Sequence, residues 1–467
     1  MAQFEEVSQK SAVHPKPVGL VLQYGTAGLR TNSKQLDHVM FRMGLLATLR
    51  SKKTKATIGV MEDNGVKLVD PMGEMVTPAW EGYATQLVNA ERGGLLTALK
   101  DVIEREAISM AQEASVFVGK DTRPSSESLS QAVLDGVHSL ESHSKDYGLV
   151  TTPQLHYMVC CQNTQGRYGN AKVKGYYQKL PAIHSLSVCI ALSLIFPSQS
   201  FSFVSHLSLA RCGDECRGGL LFVWCADHIV YYYSDSEGRF HLLDGDKIAT
   251  LISTYLKELL TQAGLDLQIA VVQTAYANGS STRYLEDTMI VIVRCTKTGL
   301  KHLHHAAQEF DIGVYFEANG HRTILFSKER KNAALLLQNT TVGDAISDML
   351  LIEAVFTIRG MTVQQWDAIY TDLPKRQLKV KVADRRVIDT TDAERRTVSP
   401  AGLQEALGSL VNKHRHAHSF VCPSGTEDVG RVYAEADTPE SADALAHEVS
   451  LAVYRLAGGV GEEPKPL

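Results

Sequence analysis

Short runs of β-branched and aliphatic residues alternate with stretches of helical periodicity over most of the chain, and this alternation restricts the fold more than any other feature. Near-continuous apolar strands need cover on both faces, so the pattern predicts an α/β fold built on buried, parallel or mixed sheets. Ala56 to Met61 and Ser115 to Gly119 read as strands. Asp101-Val102-Ile103-Glu104-Arg105-Glu106-Ala107-Ile108 reads as the start of an amphipathic helix, with acids near its positive end. Ile248, Leu251, Ile252, Tyr255, Leu256, Leu259 and Leu260 recur at helical spacing and predict a sustained helix. Ile269 to Thr274, Ile290 to Arg294 and Ile312 to Phe316 supply strands of another unit, followed by a helix from about Asp344 to Ile358 that Gly360 can end. Leu378 to Ala383, Ser419 to Val421 and Arg431 to Ala436 supply strands of a last unit, closed by a helix with Thr438 as N-cap and Pro439 in its first turn. The tail Glu462 to Leu467 is expected to fray.

Composition narrows the class. With 467 residues and 44% hydrophobic content, the chain has ample core for three or four domains without staples. A net charge of -5 argues against general nucleic-acid binding. Met1-Ala2-Gln3-Phe4-Glu5-Glu6 lacks the basic start and apolar run of a secretory signal, which places the chain in the cytoplasm, where its eight cysteines are expected to stay thiols. Leu180 to Ala210 holds no Asp, Glu, Lys or Arg, and residues 185–204 are long enough to span a membrane. Pro197, Gln199 and many serines interrupt that stretch and no clear aromatic or basic flanks frame it, so a buried globular segment is the better expectation and no membrane partner is inferred.

Four short segments carry polar chemistry. Gly25-Thr26-Ala27-Gly28-Leu29-Arg30 is a glycine-containing loop ending in a cation, suited to phosphate or equally to a plain turn. Gly119-Lys120-Asp121-Thr122-Arg123-Pro124-Ser125-Ser126 links a strand to a helix, where Ser125 could be only an N-cap and Arg123 only a solvated charge. Glu317-Ala318-Asn319-Gly320-His321 leaves a strand end with a carboxylate and an amide able to grip sugar hydroxyls, or forms a simple turn. Pro423-Ser424-Gly425-Thr426-Glu427-Asp428, with Arg431 on the next strand, has the hydroxyls, glycine and guanidinium of a phosphate cradle.

Taken in this order, with Gln23-Tyr24, Thr151 to Tyr157, Gln273 to Tyr284, Cys295 to His305 and Ser424 to Ala436, the segments closely resemble the α-D-phosphohexomutase superfamily, and most of all its phosphoacetylglucosamine mutase branch. The resemblance implies a four-domain, heart-shaped α/β enzyme with a central cleft. It implies an isomerase that interconverts N-acetylglucosamine 6-phosphate and 1-phosphate through a bisphosphate on the route to UDP-N-acetylglucosamine, with Mg²⁺ as cofactor and a phosphosugar as the small-molecule partner. The implied divisions are a phosphoserine domain over 1–176, the remnant of a metal-loop domain over 177–263, a sugar-binding domain over 264–370 and a phosphate-binding domain over 371–467. Glu317, Ala318, Asn319, Cys422, Pro423, Ser424, Gly425, Thr426 and Arg431 are the implied substrate contacts. Arg30 and Arg123 are implied at the reacting phosphate, and Lys301 in a proton-transfer or charge-stabilising role, with a surface lysine as its bland alternative.

This sequence departs from the family at the chemistry. The family's Thr-Ala-Ser-His-Asn-Pro loop, whose serine is phosphorylated, has no counterpart, because Met61 runs directly into Glu62-Asp63-Asn64-Gly65. The magnesium loop Asp-Gly-Asp-Ala-Asp-Arg is replaced by Val223-Trp224-Cys225-Ala226-Asp227-His228, which leaves Asp227 as the one matching ligand. Cys422 stands where the family has an arginine, and restoring Cys422→Arg is expected to strengthen phosphosugar binding by about 1.5–3 kcal/mol. From about Ser185 to Leu221 no family likeness remains, which also fits an alternative or mistaken exon reading. Cys212, Cys216, Cys225 and His228 match no standard zinc spacing, and free thiols are expected there. The expectation is therefore a mutase whose turnover falls far below that of a complete member; the alternative is a catalytically dead phosphosugar binder or an incomplete isoform.

Overall fold

The apolar runs become strands, and each finds cover. The computed structural model describes residues 2–13, 37–62, 66–69, 78–184, 217–222, 228–318, 320, 322–326, 344–424 and 427–466. It divides into two compact units, one of Met1–Ser187 with Val223–Asp227 and Asn339–Asp344, the other of Val188–Phe222, His228–Gln338 and Ala345–Leu467. The expected stretches at Arg30, Ser185 to Val204, Cys212, Cys216, Cys225, Asp227, Asn319, His321, Gly425 and Thr426 lie outside the described residues.

In the first unit β1 (Ile58–Glu62), β2 (Val66–Val69), β3 (Ser115–Lys120) and β4 (His143–Leu149) form a sheet ordered β2-β1-β3-β4. β1, β3 and β4 run parallel, with β2 antiparallel at the edge. Ile58, Val60, Val116 and Val118 are sealed on one face of the sheet in a core shared with the helices Asp37–Thr54, Leu95–Arg105 and Ser126–His138. The helix expected from Asp101 begins earlier, at Leu95. Its buried stripe of Leu95, Ala98, Leu99 and Val102 starts six residues before Asp101, so packing rather than the dipole sets its start. The helix Thr152–Asn163 opens on a capping box, in which Thr151 and Gln154 satisfy each other's backbone N–H.

The second unit begins with the antiparallel strands β5 (Arg217–Phe222), β6 (Ile229–Ser234) and β7 (Phe240–Leu243), then the helix Gly245–Gln262. Next come β8 (Ile269–Gln273), β9 (Ile292–Cys295), β10 (Ile312–Phe316) and β11 (Arg322–Phe326), ordered β11-β10-β8-β9 with only β11 antiparallel. One core joins Ile229, Tyr231, Ile248, Leu251, Val271, Val314, Ile352 and Trp366, and so runs across residue 263. Ile248, Leu251, Ile252 and Leu256 of the expected stripe are buried, Tyr255 and Leu260 pack partly buried against the same core, and Leu259 is exposed. The helix Ala345–Arg359 ends where expected, with Gly360 at φ +60°.

Finally β12 (Lys375–Lys381), β13 (Asp389–Thr391), β14 (Arg396–Ser399), β15 (His418–Pro423) and β16 (Val429–Glu435) give an antiparallel sheet β12-β16-β15 and a β13-β14 ribbon. The closing helix Pro439–Leu456 has Thr438 accepting from the Ser441 N–H, as its sequence predicts. The tail does not fray. Glu463 pairs with Arg455 at 2.9 Å and the Pro464 carbonyl meets His447 Nε2 at 3.1 Å, so the chain end folds back on its own helix.

A buried ionic group ties these pieces of the second unit together. Asp244 caps the helix Gly245–Gln262 and pairs with Lys375 Nζ at 2.9 Å, while Asp246 accepts the Asn278 N–H at 2.7 Å. Lys247, 2% exposed, donates to the carbonyls of Asp367 and Tyr370. Burial, with Asp244 adding to it, holds the Asp246 carboxyl well above its ordinary value, and burial raises Asp372 to about 6.

Candidate functional site

The phosphate-type loop is built by a strand pair. β15 and β16 are antiparallel with Cys422 opposite Arg431 and Pro423 opposite Gly430, so Ser424, just past the end of β15, lies near Arg431. Ser424 is 2% exposed. Its N–H donates to the Val429 carbonyl at 3.0 Å, and its Oγ accepts from Arg431 Nη2 and from the Glu427 N–H, each at 3.4 Å. Arg431 Nε is buried and has no hydrogen-bond partner among the described residues, a state that costs free energy until an acceptor arrives. The two acids of the turn are occupied elsewhere: Glu427 pairs with Lys379 at 2.9 Å, and Asp428 accepts the Arg385 N–H at 3.4 Å.

Cys422 shares a sheet face with Arg431, its cross-strand neighbour, and its thiol is engaged by Tyr276. It is 5% exposed, and its Sγ lies 3.0 Å from the Tyr276 hydroxyl, in a cluster with Ala275, Phe420 and Tyr433. Burial pushes its thiol up to about 11, so it stays a neutral, weakly reactive thiol. Cys160, Cys161, Cys295 and Cys422 form no disulfide.

The second turn leaves β10. Glu317 and Ala318 are half-buried, and the Gly320 N–H closes on the Glu317 carbonyl at 2.9 Å. Two neighbours clamp it: the Ile229 N–H donates to the Gly320 carbonyl at 3.2 Å, and the Gly245 N–H to the Ala318 carbonyl at 3.3 Å. Gly320 has φ +88°, and a Cβ there would meet the Ile229 carbonyl oxygen at 2.1 Å. Only glycine fits. Ile229 opens β6, directly across from Phe222 at the end of β5, so the strand ends flanking 223–228 lie beside this turn. Lys301 lies in the first turn of the helix Leu300–Ala307, behind Gly299.

In the first unit Arg123 stands past the C-terminal end of β3, beside the end of β1, where Glu62 pairs with Lys120. Ligands gather at such strand ends in open α/β sheets. Asp121 holds the segment, accepting from the Arg123 N–H at 2.9 Å and Ser126 Oγ at 2.6 Å, with Arg123 Nε 3.3 Å from its other oxygen. Ser125 makes no side-chain cap; Ser126 bonds to Asp121 instead. Arg123 itself is exposed, with its guanidinium partly in solvent.

The structure therefore brings Ser424 and Arg431 together, sets Cys422 against Tyr276, and places Glu317 with Ala318 in a clamped turn. Tyr276, Gly245, Asp121 and Lys379 support these groups, and the motif reading did not single them out. Their signal is weak: Gly245 follows the N-cap Asp244, and Tyr276 lies in a segment noted only for its wording.

Among the described residues no group of three or more His, Cys, Asp or Glu side chains could hold a metal ion. The segment 223–228 offers one carboxylate, Asp227, among Val, Trp, Cys and Ala, a donor set that does not suit the oxygen-rich octahedron of Mg²⁺. No described helix is long and apolar enough to cross a membrane.

Comparison with known proteins gives the same family from several sides. A family model for domain III of phosphoacetylglucosamine mutase AMG1 matches residues 244–335, and one for the α/β/α domain I of phosphoglucomutase/phosphomannomutase matches residues 94–166. The human phosphoacetylglucosamine mutase is 56% identical, covering 98% of this chain and 99% of its own. That alignment runs over 535 residues, more than the 467 of this chain, so the human relative carries internal stretches without a counterpart here. A crystal structure of the Aspergillus fumigatus N-acetylphosphoglucosamine mutase with glucose 1,6-bisphosphate superposes with a TM-score of 0.88 at 37% identity, covering 98% of this chain and 99% of that one. Another, in complex with GlcNAc-6P and magnesium, gives 0.86 at 38% over the same shares. Mixed α/β fold, motif order and near-complete coverage agree, and the chain belongs to the phosphoacetylglucosamine mutase family of α-D-phosphohexomutases.

Proposed function

We propose that this chain binds an N-acetylglucosamine phosphate and serves its interconversion between the 6- and 1-phosphate forms through a bisphosphate, in the cytoplasm. The observation that carries this reading is the Arg431 guanidinium, buried at Nε without an acceptor among the described residues, beside the buried Ser424 hydroxyl. A phosphate group supplies the missing acceptors in a charge-assisted bond. In this reading Ser424, Gly425, Thr426 and Arg431 hold the non-reacting phosphate, framed by Cys422 and Pro423, while Glu317, Ala318 and Asn319 read the sugar hydroxyls. Arg30 and Arg123 neutralise the reacting phosphate, and Lys301 moves a proton or stabilises charge. The four divisions at 1–176, 177–263, 264–370 and 371–467 carry these roles in family order.

The family uses Mg²⁺, as the magnesium complex of the Aspergillus relative illustrates. With one carboxylate at 223–228 this chain is a poor host for it, and Asp227 is the single position left to hold it. Phosphoryl transfer rests on positioning and charge neutralisation. With neither the serine loop nor a full metal loop, turnover is expected below that of a complete relative by a factor on the order of 10⁴–10⁶. Binding is separable from turnover. Titration calorimetry with N-acetylglucosamine 6-phosphate should show binding that Arg431→Ala weakens by about 10–100-fold; equal affinity in the two proteins would remove the loop from the site.

A further inference from the structure

The β13-β14 connection carries three consecutive non-glycine residues with positive φ: Asp392 at 51°, Ala393 at 56° and Glu394 at 69°. Each costs on the order of 1 kcal/mol, so the run persists only because other contacts fix it. Arg395 closes it, donating from Nη2 to Asp392 Oδ1 at 2.7 Å and from Nε to the Asp392 carbonyl at 3.2 Å. The strained turn carries the Glu394 carboxylate to a segment 96 residues away, where Oε2 accepts both the Thr298 N–H at 3.1 Å and Thr298 Oγ1 at 2.6 Å. Thr298 precedes Gly299, whose φ of 123° starts the helix bearing Lys301 in its first turn.

The β13-β14 ribbon that carries Glu394 packs on β15, the strand that leads into the Ser424 loop. Burial comes first in raising the proton affinity of Tyr276, Cys422 and Cys295, and the charge of Glu394 adds to it at all three. Glu394 thus links a ribbon packed on β15 to the turn before Lys301.

We infer that Glu394 is a positioning residue that fixes the 297–301 turn, and Lys301 with it, against the strand feeding the phosphate-type loop. Its functional meaning rests on the reading of Lys301 given above, whereas the contact itself can be tested without it. Hydrogen exchange on the full-length protein should show amides 298–303 exchanging about 10-fold faster in Glu394→Ala, with β8 unchanged. Glu394→Gln keeps an acceptor oxygen and should restore protection to within about 3-fold, a rescue that a mere loss of packing would not give. Thr298→Val should expose the same amides and leave the β13-β14 ribbon intact, which decides the matter if Glu394→Ala loosens the ribbon itself. Unchanged exchange at 298–303 in both Glu394→Ala and Thr298→Val would overturn the inference. If exchange responds but Lys301→Ala leaves the residual interconversion of N-acetylglucosamine 6-phosphate untouched, the positioning holds and the role given to Lys301 fails.

Discussion

Two hairpins occupy the same place in two sheets of the same layout. β1 runs into the antiparallel edge strand β2 in the order β2-β1-β3-β4, and β10 into β11 in the order β11-β10-β8-β9. The first closes at once, with Glu62 opposite Val66. The second opens between Phe316 and Arg322, and its turn carries Glu317 and Ala318 and is clamped by Ile229 and Gly245. A sheet register set by buried Ile58, Val60, Val314 and Phe316 is indifferent to what the turn beyond it contains. Chemistry sits in the turn, so the content of a turn can change while the sheet beneath it keeps its fold.

The sharpest way to break this contrast is Gly320→Ala. The new Cβ meets the Ile229 carbonyl at 2.1 Å in a left-handed backbone, so the clamped turn should lose roughly 2–5 kcal/mol. Calorimetry should show phosphosugar affinity falling with it, while melting of the first unit, followed by Trp80 fluorescence, stays put.

A smaller effect lies beneath the clamp. The folded chain keeps a proton on Asp372 up to about pH 6, whereas the unfolded chain loses it near the ordinary value of 3.8. Between those values the native state binds more protons, so stability falls as pH rises through the window, by about 1–3 kcal/mol. Asp372→Asn should flatten that slope in denaturation midpoints taken from pH 4 to 6.5 with Trp366 as reporter; an unchanged slope would assign it to another group.

The smallest effect is expected at Cys422→Arg. A phosphate contact worth about 1.5–3 kcal/mol is set against about 1–3 kcal/mol for rearranging, on binding, the packed space beside Tyr276 and Phe420 so that the new side chain reaches the ligand. The net change in affinity should stay within about 1 kcal/mol, less than the sequence alone suggested. A gain as large as 3 kcal/mol would mean that Tyr276 yields without cost.

What the sequence made legible is what local periodicity and capping encode. The stripe from Ile248 to Leu256, the Thr438 cap and the strand Ile312–Phe316 all follow from spacing, and the motif segments near Ser424 and Glu317 follow from residue type. Pairings across the chain were not legible. Cys422 meets Tyr276 from 146 residues away, and no pattern in either segment announces it. The early start at Leu95 and the tail folded onto Arg455 and His447 were missed because tertiary burial and ion pairing overrode local signals.

The most direct test of the account is a ³¹P magnetic resonance time course of N-acetylglucosamine 6-phosphate with the purified chain, Mg²⁺ and glucose 1,6-bisphosphate, beside the human relative. The account predicts binding without comparable turnover: the 1-phosphate should appear at least about 10⁴-fold more slowly than with the human enzyme. Conversion at a similar rate would contradict it, and would mean that a residue other than the absent serine carries the phosphoryl group.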